Sequence, residues 1–349
     1  MLNNEQINEI KEHLEKAQNP VFYYDNDADG LCSFLLLRRF LGRGKGVAVR
    51  SYPDLNASYV RKVDELKGDY VFVLDKPNLS EEFVLEITEK GIPIVWIDHH
   101  DISGLESLEQ KEMLHIYNPA RNKEKSYEPV SYLCYKITQR KEDAWIAIMG
   151  CISDHFLPDF LDDFAEEKPE LWGKKIKKPF DALYGTEIGK ISLALNFGLM
   201  DSTTHIVQLQ NYLVNCRNPE EVLSETKENK AFRDKYEEIK KKYKSLVEKA
   251  RENVSGKLIY FEYGGELSIS SEVSNELYFE FPEKYIIVAY KKGGISNLSL
   301  RGNKIRNILE KVLKNFEGAT GGGHEDAVGA RIKVEDLQRF KEAIEQEIK

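Results

Sequence analysis

The sequence predicts a two-domain α/β protein: a parallel sheet with helices on both faces, then a long helix leading to a smaller α+β domain. Three observations carry this. Short apolar runs alternate with helix-length segments through the first half. A charged stretch at 227–252 keeps a regular apolar seam. After Gly256 the strands become longer and alternate less often with helices. A chain of 349 residues also exceeds one ordinary core. The expected division is 1–220 for the catalytic domain, 221–256 for the connecting helix and 257–349 for a substrate-binding domain.

The elements follow in order. Ile7, Ile10 and Leu14 stand at helical spacing in residues 7–14. Val21–Tyr24 is a buried-strand run after Pro20 and leads straight into Asp25-Asn26-Asp27-Ala28-Asp29-Gly30. The run LCSFLLLRRFL that follows reads as a buried helix. Val47–Tyr52 reads as a strand and Ala57–Leu66 as a helix. YVFVLD ends at Asp75, and Ser80 with Glu81 and Glu82 opens a capped helix. PIVWIDHH ends at His100. Strands of four to six continuous apolar residues between such helices indicate βαβ units in a sheet covered on both faces. Residues 129–216 read as mainly helical, with segments near 143–153, 188–200 and 203–215. Phe232, Tyr236, Ile239, Tyr243, Leu246 and Ala250 form a heptad seam of about three repeats, a connecting helix packed on a domain. Beyond it the expected order is strands near 257–262, 284–290 and 295–301, a helix near 303–315, a strand Ala327–Val334 and a closing helix.

Composition removes several classes. With 41% hydrophobic and 31% charged residues the chain reads as globular. No window approaches the length of a membrane span, and residues 1–18 lack the apolar core of a signal peptide. Four scattered cysteines (Cys32, Cys134, Cys151, Cys216) without a CxxC pair suggest reduced thiols, so the expected location is the cytoplasm. A net charge of −9 argues against a general nucleic-acid-binding surface but describes the whole surface, not a site.

Three apolar runs stop at acidic or histidine-rich sequence: Asp25–Asp29, Asp75, and Asp98-His99-His100. Ligands bind outside the carboxyl ends of strands in open α/β sheets, so these groups should converge on one crevice. Three alternate carboxylates would repel one another unless a cation neutralised them; the triplet also reads as a solvated turn capping the next helix. A calcium loop is excluded, because no glutamate stands at its twelfth position. Asp75 alone reads as a cap. Adjacent histidines are costly in a core, and one beside carboxylates is a typical metal ligand. Asp154, in GCISDHF, ends a helical apolar segment, with His155 beside it. Gly321, Gly322 and Gly323 before His324 free the backbone to approach a ligand and expose amide donors. They fit neither a P-loop nor a dinucleotide fingerprint.

Taken together, DNDADG, Asp75, DHH at 98–100, GCISD and GGGHEDAVGA resemble, in order and over nearly the whole chain, the DHH/DHHA1 phosphoesterase family. The DxDxDG form is similar to its RecJ-like single-strand exonuclease branch of archaeal type. The resemblance implies two Mn2+ (or Mg2+) ions in a cleft between domains. It assigns Asp25 and Asp27 as metal ligands, Asp29 as a ligand or the neighbour of one, and Asp75 as the carboxylate bridging both ions. His99 and Asp154 match further ligands, His100 the group that contacts the scissile phosphate, and Asp98 a carboxylate orienting His99. In the DHHA1 part, Gly321, Gly322, Gly323 and His324 match a substrate-holding loop. Ser299-Leu300-Arg301 places Arg301 on a phosphate, with Lys304 and Arg306 available to the backbone. The implied reaction is phosphodiester hydrolysis releasing nucleoside monophosphates from single-stranded DNA or RNA. The implied partners are those strands and replication or repair proteins, with the heptad helix a candidate homo-oligomer contact and no membrane. A nano-oligonucleotide or small-molecule phosphodiesterase, and a replication or repair scaffold associated with helicase partners, are the alternatives. Two departures stand out: Lys76-Pro77 where the family often has a glycine, and His155 after Asp154.

Overall fold

The computed structural model describes residues 1–50, 54–102, 104–105, 107–173, 176–254, 256–323 and 325–348. It divides into two units, Met1–Tyr236 and Glu237–Lys349.

In the first unit, strands Pro20–Asp25, Lys45–Val49, Tyr70–Leu74, Ile94–Ile97 and Leu114–Tyr117 form one sheet. Every pairing in it is parallel. In chain order the strands lie 2-1-3-4-5. Because alternate side chains point to opposite faces, and both faces are covered, the inner strands are nearly continuous apolar runs, while the two edge strands carry Lys45 and His115. Val21, Tyr23, Val71, Val73, Ile94 and Trp96 enter one cluster with Val60, Val63, Phe83, Val84 and Ile87. On the other face Phe22 stacks on Phe72 at 5.1 Å, and Tyr24 stacks on Phe34 at 5.4 Å. Phe34 belongs to helix Ala28–Leu41, whose first ten residues are all buried. That helix packs against helices Val130–Thr138 and Ala144–Ser153. The strand order reverses between the first and third strands, and a reversal opens a crevice at their carboxyl ends. Asp25 ends the first of these strands, and Asp75 follows the other.

Several segments differ from the sequence reading. Strand Leu114–Tyr117 extends the sheet to five. The second strand runs Lys45–Val49; Ser51 and Tyr52, the end of the expected strand, lie outside the described residues. The four cysteines are free and buried. Among the described residues no helix is long and apolar enough to cross a membrane.

Helix Lys230–Arg251 begins in the first unit and ends in the second. Phe232, Tyr236, Ile239, Tyr243, Val247 and Ala250 are its buried positions, so Val247 takes the place expected for Leu246. In the second unit, strands Leu258–Gly264, Tyr285–Lys292, Ile295–Arg301, Ala327–Lys333 and Thr320–Gly323 lie side by side in that spatial order. Only the first pairing is parallel. One face packs Ile287, Ala289, Leu298, Leu300 and Val328 on Ile305, Leu309, Phe340 and Ile344. Helix Ser270–Glu280, which the sequence reading omits, packs on the two central strands.

Candidate metal centre

The site grows from the ends of three strands. After Asp25 the chain turns at once into helix Ala28–Leu41, with Asp27 as its N-cap accepting from the Gly30 amide at 2.9 Å. Gly30 is required for that turn: a Cβ there would lie 2.5 Å from the Asp25 carbonyl oxygen. Asn196 fastens the same turn. Its Oδ1 accepts from the Ala28 amide at 2.8 Å, while its Nδ2 donates to Ser153 Oγ at 3.1 Å, beside Asp154.

Asp29 is buried and turned inward. Its carboxylate accepts from the amides of Val130 (2.8 Å) and Ser131 (3.0 Å), and from the Ser131 hydroxyl. It therefore caps helix Val130–Thr138, where an anion also meets the positive end of the helix dipole. Asp75 sits at φ 58°, a left-handed conformation rare outside glycine, asparagine and aspartate. This turn aims its buried carboxylate at His99 Nε2, 3.4 Å away. The same nitrogen lies 3.6 Å from Asp154 Oδ2. The Tyr127 carbonyl, 3.2 Å from His99 Nδ1, fixes the ring with Nε2 toward the acids.

The structure reassigns one expected contact. Asp98 holds His100, not His99: its Oδ1 lies 2.8 Å from His100 Nδ1 and its Oδ2 accepts from the His100 amide at 3.0 Å. Two residues is the natural reach of an Asx turn. Asn118 ties the pair down by donating to Asp98 Oδ2 and to the His100 carbonyl.

Electrostatics mark the cluster as short of positive charge. Desolvation, followed by the charges of Asp25 and Asp29, pushes the Asp27 carboxyl up to about 8. Desolvation raises Asp154 to about 6 against the pull of His99. Burial and the charges of Asp29 and Asp27 hold Asp75 well above the carboxylate range. Burial alone would lower His99, but its hydrogen bond to Asp75 and the charges of Asp154 and Asp75 keep it well above an ordinary imidazole. A divalent cation would relieve every one of these repulsions. Among the described residues, two sets of side chains bring their ligand atoms within 4.8 Å of one another: Asp75, His99 and His100, and Asp29, His99 and Asp154. Carboxylates with one or two imidazoles suit a hard ion such as manganese or magnesium.

Lys76 is the residue whose place the sequence does not reveal. Its side chain is 1% exposed, and Nζ lies 2.8 Å from Asp25 Oδ1.

In the second unit the glycines expected as a loop form an edge strand instead. Gly321, Gly322 and Gly323 pair with Ala330, Gly329 and Val328, and all three are exposed. His324 lies outside the described residues. Arg301, expected on a phosphate, is 7% exposed with its guanidinium turned into its own unit. It donates to Asn275 Oδ1 at 2.6 Å, Ser271 Oγ at 3.0 Å and the Leu300 carbonyl at 2.8 Å. Lys304 donates its amide to Asp326, and Arg306 pairs with Glu310.

Two family models match this chain: the DHH family N-terminal domain over residues 21–154, and the DHHA1 domain over residues 254–349. The chain belongs to the DHH phosphoesterase family. Comparison with curated protein sequences gave no match. Among solved structures, this DHH protein is similar to RecJ from Thermus thermophilus in complex with Mn2+. That match has a TM-score of 0.65 and 16% identity, over 98% of this chain and 54% of that one. It is also similar to a DHH domain described as coming from a member of a family of ribosomal proteins (TM-score 0.68, 15% identity, covering 99% and 92%). CDC45 from Entamoeba histolytica matches at a TM-score of 0.54 and 10% identity, over 98% of each chain. At these identities the likeness is one of fold. The DHH protein spans about half the length of the Thermus RecJ.

Proposed function

We propose that this DHH protein is a metal-dependent phosphodiester hydrolase, acting as a single-strand-specific exonuclease that releases nucleoside monophosphates from DNA or RNA. The observation that carries the reading is His99 Nε2 set between Asp75 (3.4 Å) and Asp154 (3.6 Å) at the carboxyl ends of the sheet. Asp25, Asp27, Asp29, Asp75, His99 and Asp154 are the assigned metal-holding residues. The family resemblance calls for two manganese or magnesium ions. Divalent ions at such a site lower the pKa of bound water and neutralise phosphate charge.

The chain's own groups divide the remaining work. Asp98 and Asn118 hold His100, whose partly exposed ring is assigned to the scissile phosphate. The exposed edge-strand glycines Gly321, Gly322 and Gly323, with His324, are assigned to holding the strand. Arg301 is assigned an indirect part: its guanidinium steadies helix Ser270–Glu280 through Ser271 and Asn275.

The test is digestion of end-labelled single-stranded DNA and RNA ladders with manganese. Stepwise mononucleotide release that chelator abolishes and manganese restores is the expected result. Cleavage confined to the shortest oligomers would make the protein a nano-oligonucleotide phosphodiesterase. A scaffold for replication or repair proteins is the second reading, favoured by the Lys76 ammonium beside Asp25. It predicts no hydrolysis on any ladder.

A further inference from the structure

The acidic cluster already contains a cation of its own. We propose that the Lys76 ammonium takes the place of one of the two divalent ions, so that the centre holds a single metal ion beside His99. This rests on reading the cluster as a metal centre, and it concerns how that centre is filled.

The backbone leaves Lys76 little freedom to be elsewhere. Asp75 before it is fixed at φ 58°. Pro77 after it restricts Lys76 to extended conformations. The Lys76 carbonyl accepts from the indole of the buried Trp96 at 2.8 Å. With both flanks and the carbonyl pinned, the side chain runs through the protein interior and ends 2.8 Å from Asp25 Oδ1. A buried ammonium is stable only where anions compensate it, and an ammonium is a compact point charge like a metal ion.

The carboxylates are divided accordingly. Asp25, at the end of the first strand, faces the ammonium. Asp75 and Asp154, by contrast, lie against His99. Among the described residues, the sets able to surround an ion all include His99 and omit Asp25. A second divalent ion on Asp25 would lie within a few ångströms of a buried positive charge. With Lys76 1% exposed and Asp25 28% exposed, water screens that repulsion only in part.

Manganese uptake by the 349-residue chain, stripped of metal and then titrated with MnCl2, tests the inference by two readouts that need no turnover. Elemental analysis should give one manganese per wild-type chain, with the six-line electron paramagnetic resonance spectrum of an isolated ion. Lys76→Met removes the charge while keeping most of the volume, and should raise the count to two with an exchange-coupled spectrum. Lys76→Gln provides a second, polar variant, and circular dichroism identifies whichever variant is folded. Two coupled ions in the wild type would overturn the inference while leaving the phosphodiesterase reading intact. A folded variant that still binds one ion would also overturn it. A wild type that binds no manganese would overturn both readings.

Discussion

Asp29 and Asp75 are both buried carboxylates of one cluster, yet their surroundings ask opposite things of them. Asp29 accepts three hydrogen bonds at the start of helix Val130–Thr138. Asp75 accepts little, and its neighbours repel its charge. Asp29→Ala would strand two buried amides, each worth roughly 1–3 kcal/mol when left without an acceptor. Denaturant unfolding of metal-free protein should therefore show a loss of about 2–6 kcal/mol. Asp75→Asn removes a repelled charge and keeps a residue type that tolerates left-handed backbone. Its metal-free stability should be unchanged or raised, while manganese binding weakens and ladder hydrolysis falls at least about a hundredfold. Equal destabilisation by the two changes would contradict this division of roles.

At the scale of the element, the decisive contact is the first turn of helix Ala28–Leu41 against strand Pro20–Asp25. Gly30→Ala puts a methyl group 2.5 Å from a carbonyl oxygen that cannot swing aside, and the helix must move. Overpacking of this kind costs about 1–3 kcal/mol. Because the shift displaces Asp25, Asp27 and Asp29 together, manganese affinity should fall in the same variant, as calorimetric titration would show; unchanged affinity would count against a rigid turn. This architecture was legible in the sequence wherever apolar runs had a period and an abrupt end, as at Asp25, Asp75 and His100. It was hidden where periodicity carries no signal. Leu114–Tyr117 is four residues long with His115 inside it. Helix Ser270–Glu280 buries Ser270 and Ser274 beside Val273 and Leu277, so its inner face does not read as apolar. Glycines have no side chains to alternate, so Thr320–Gly323 read as a loop. Lys76 reads as a solvent residue in any sequence. Only the three-dimensional meeting of its strand with the end of the first explains its burial. Asp98 illustrates the remaining limit, since its choice between adjacent histidines is set by the turn.

For the whole molecule, the cluster couples folding, protons and metal. The Asp27 carboxyl keeps its proton to about pH 8 in the folded protein, and His99 also binds its proton more tightly than usual. In the unfolded chain such groups titrate near about 4 and 6.5. Between about pH 6.5 and 8 the folded state thus carries more protons than the unfolded one, and stability must fall as pH rises. His13 acts in the opposite direction. Burial and His115 lower it to about 4, so it stabilises the fold as pH rises from 4 to 6.5, and this contribution dies away over about the next pH unit. Its opposing effect has therefore largely faded by about pH 7.5, and above that the slope belongs to the raised groups of the cluster. Manganese requires the same carboxylates deprotonated, so its affinity rises through that window, and a ligand bound only by the folded state stabilises it more as affinity grows. Scanning calorimetry should show the Tm of metal-free protein declining from about pH 6.5 to 8.5. With manganese the decline should be reduced or reversed, so the gap between the two curves widens with pH. A gap that stayed constant would mean that the ion binds somewhere other than this cluster of raised carboxyls.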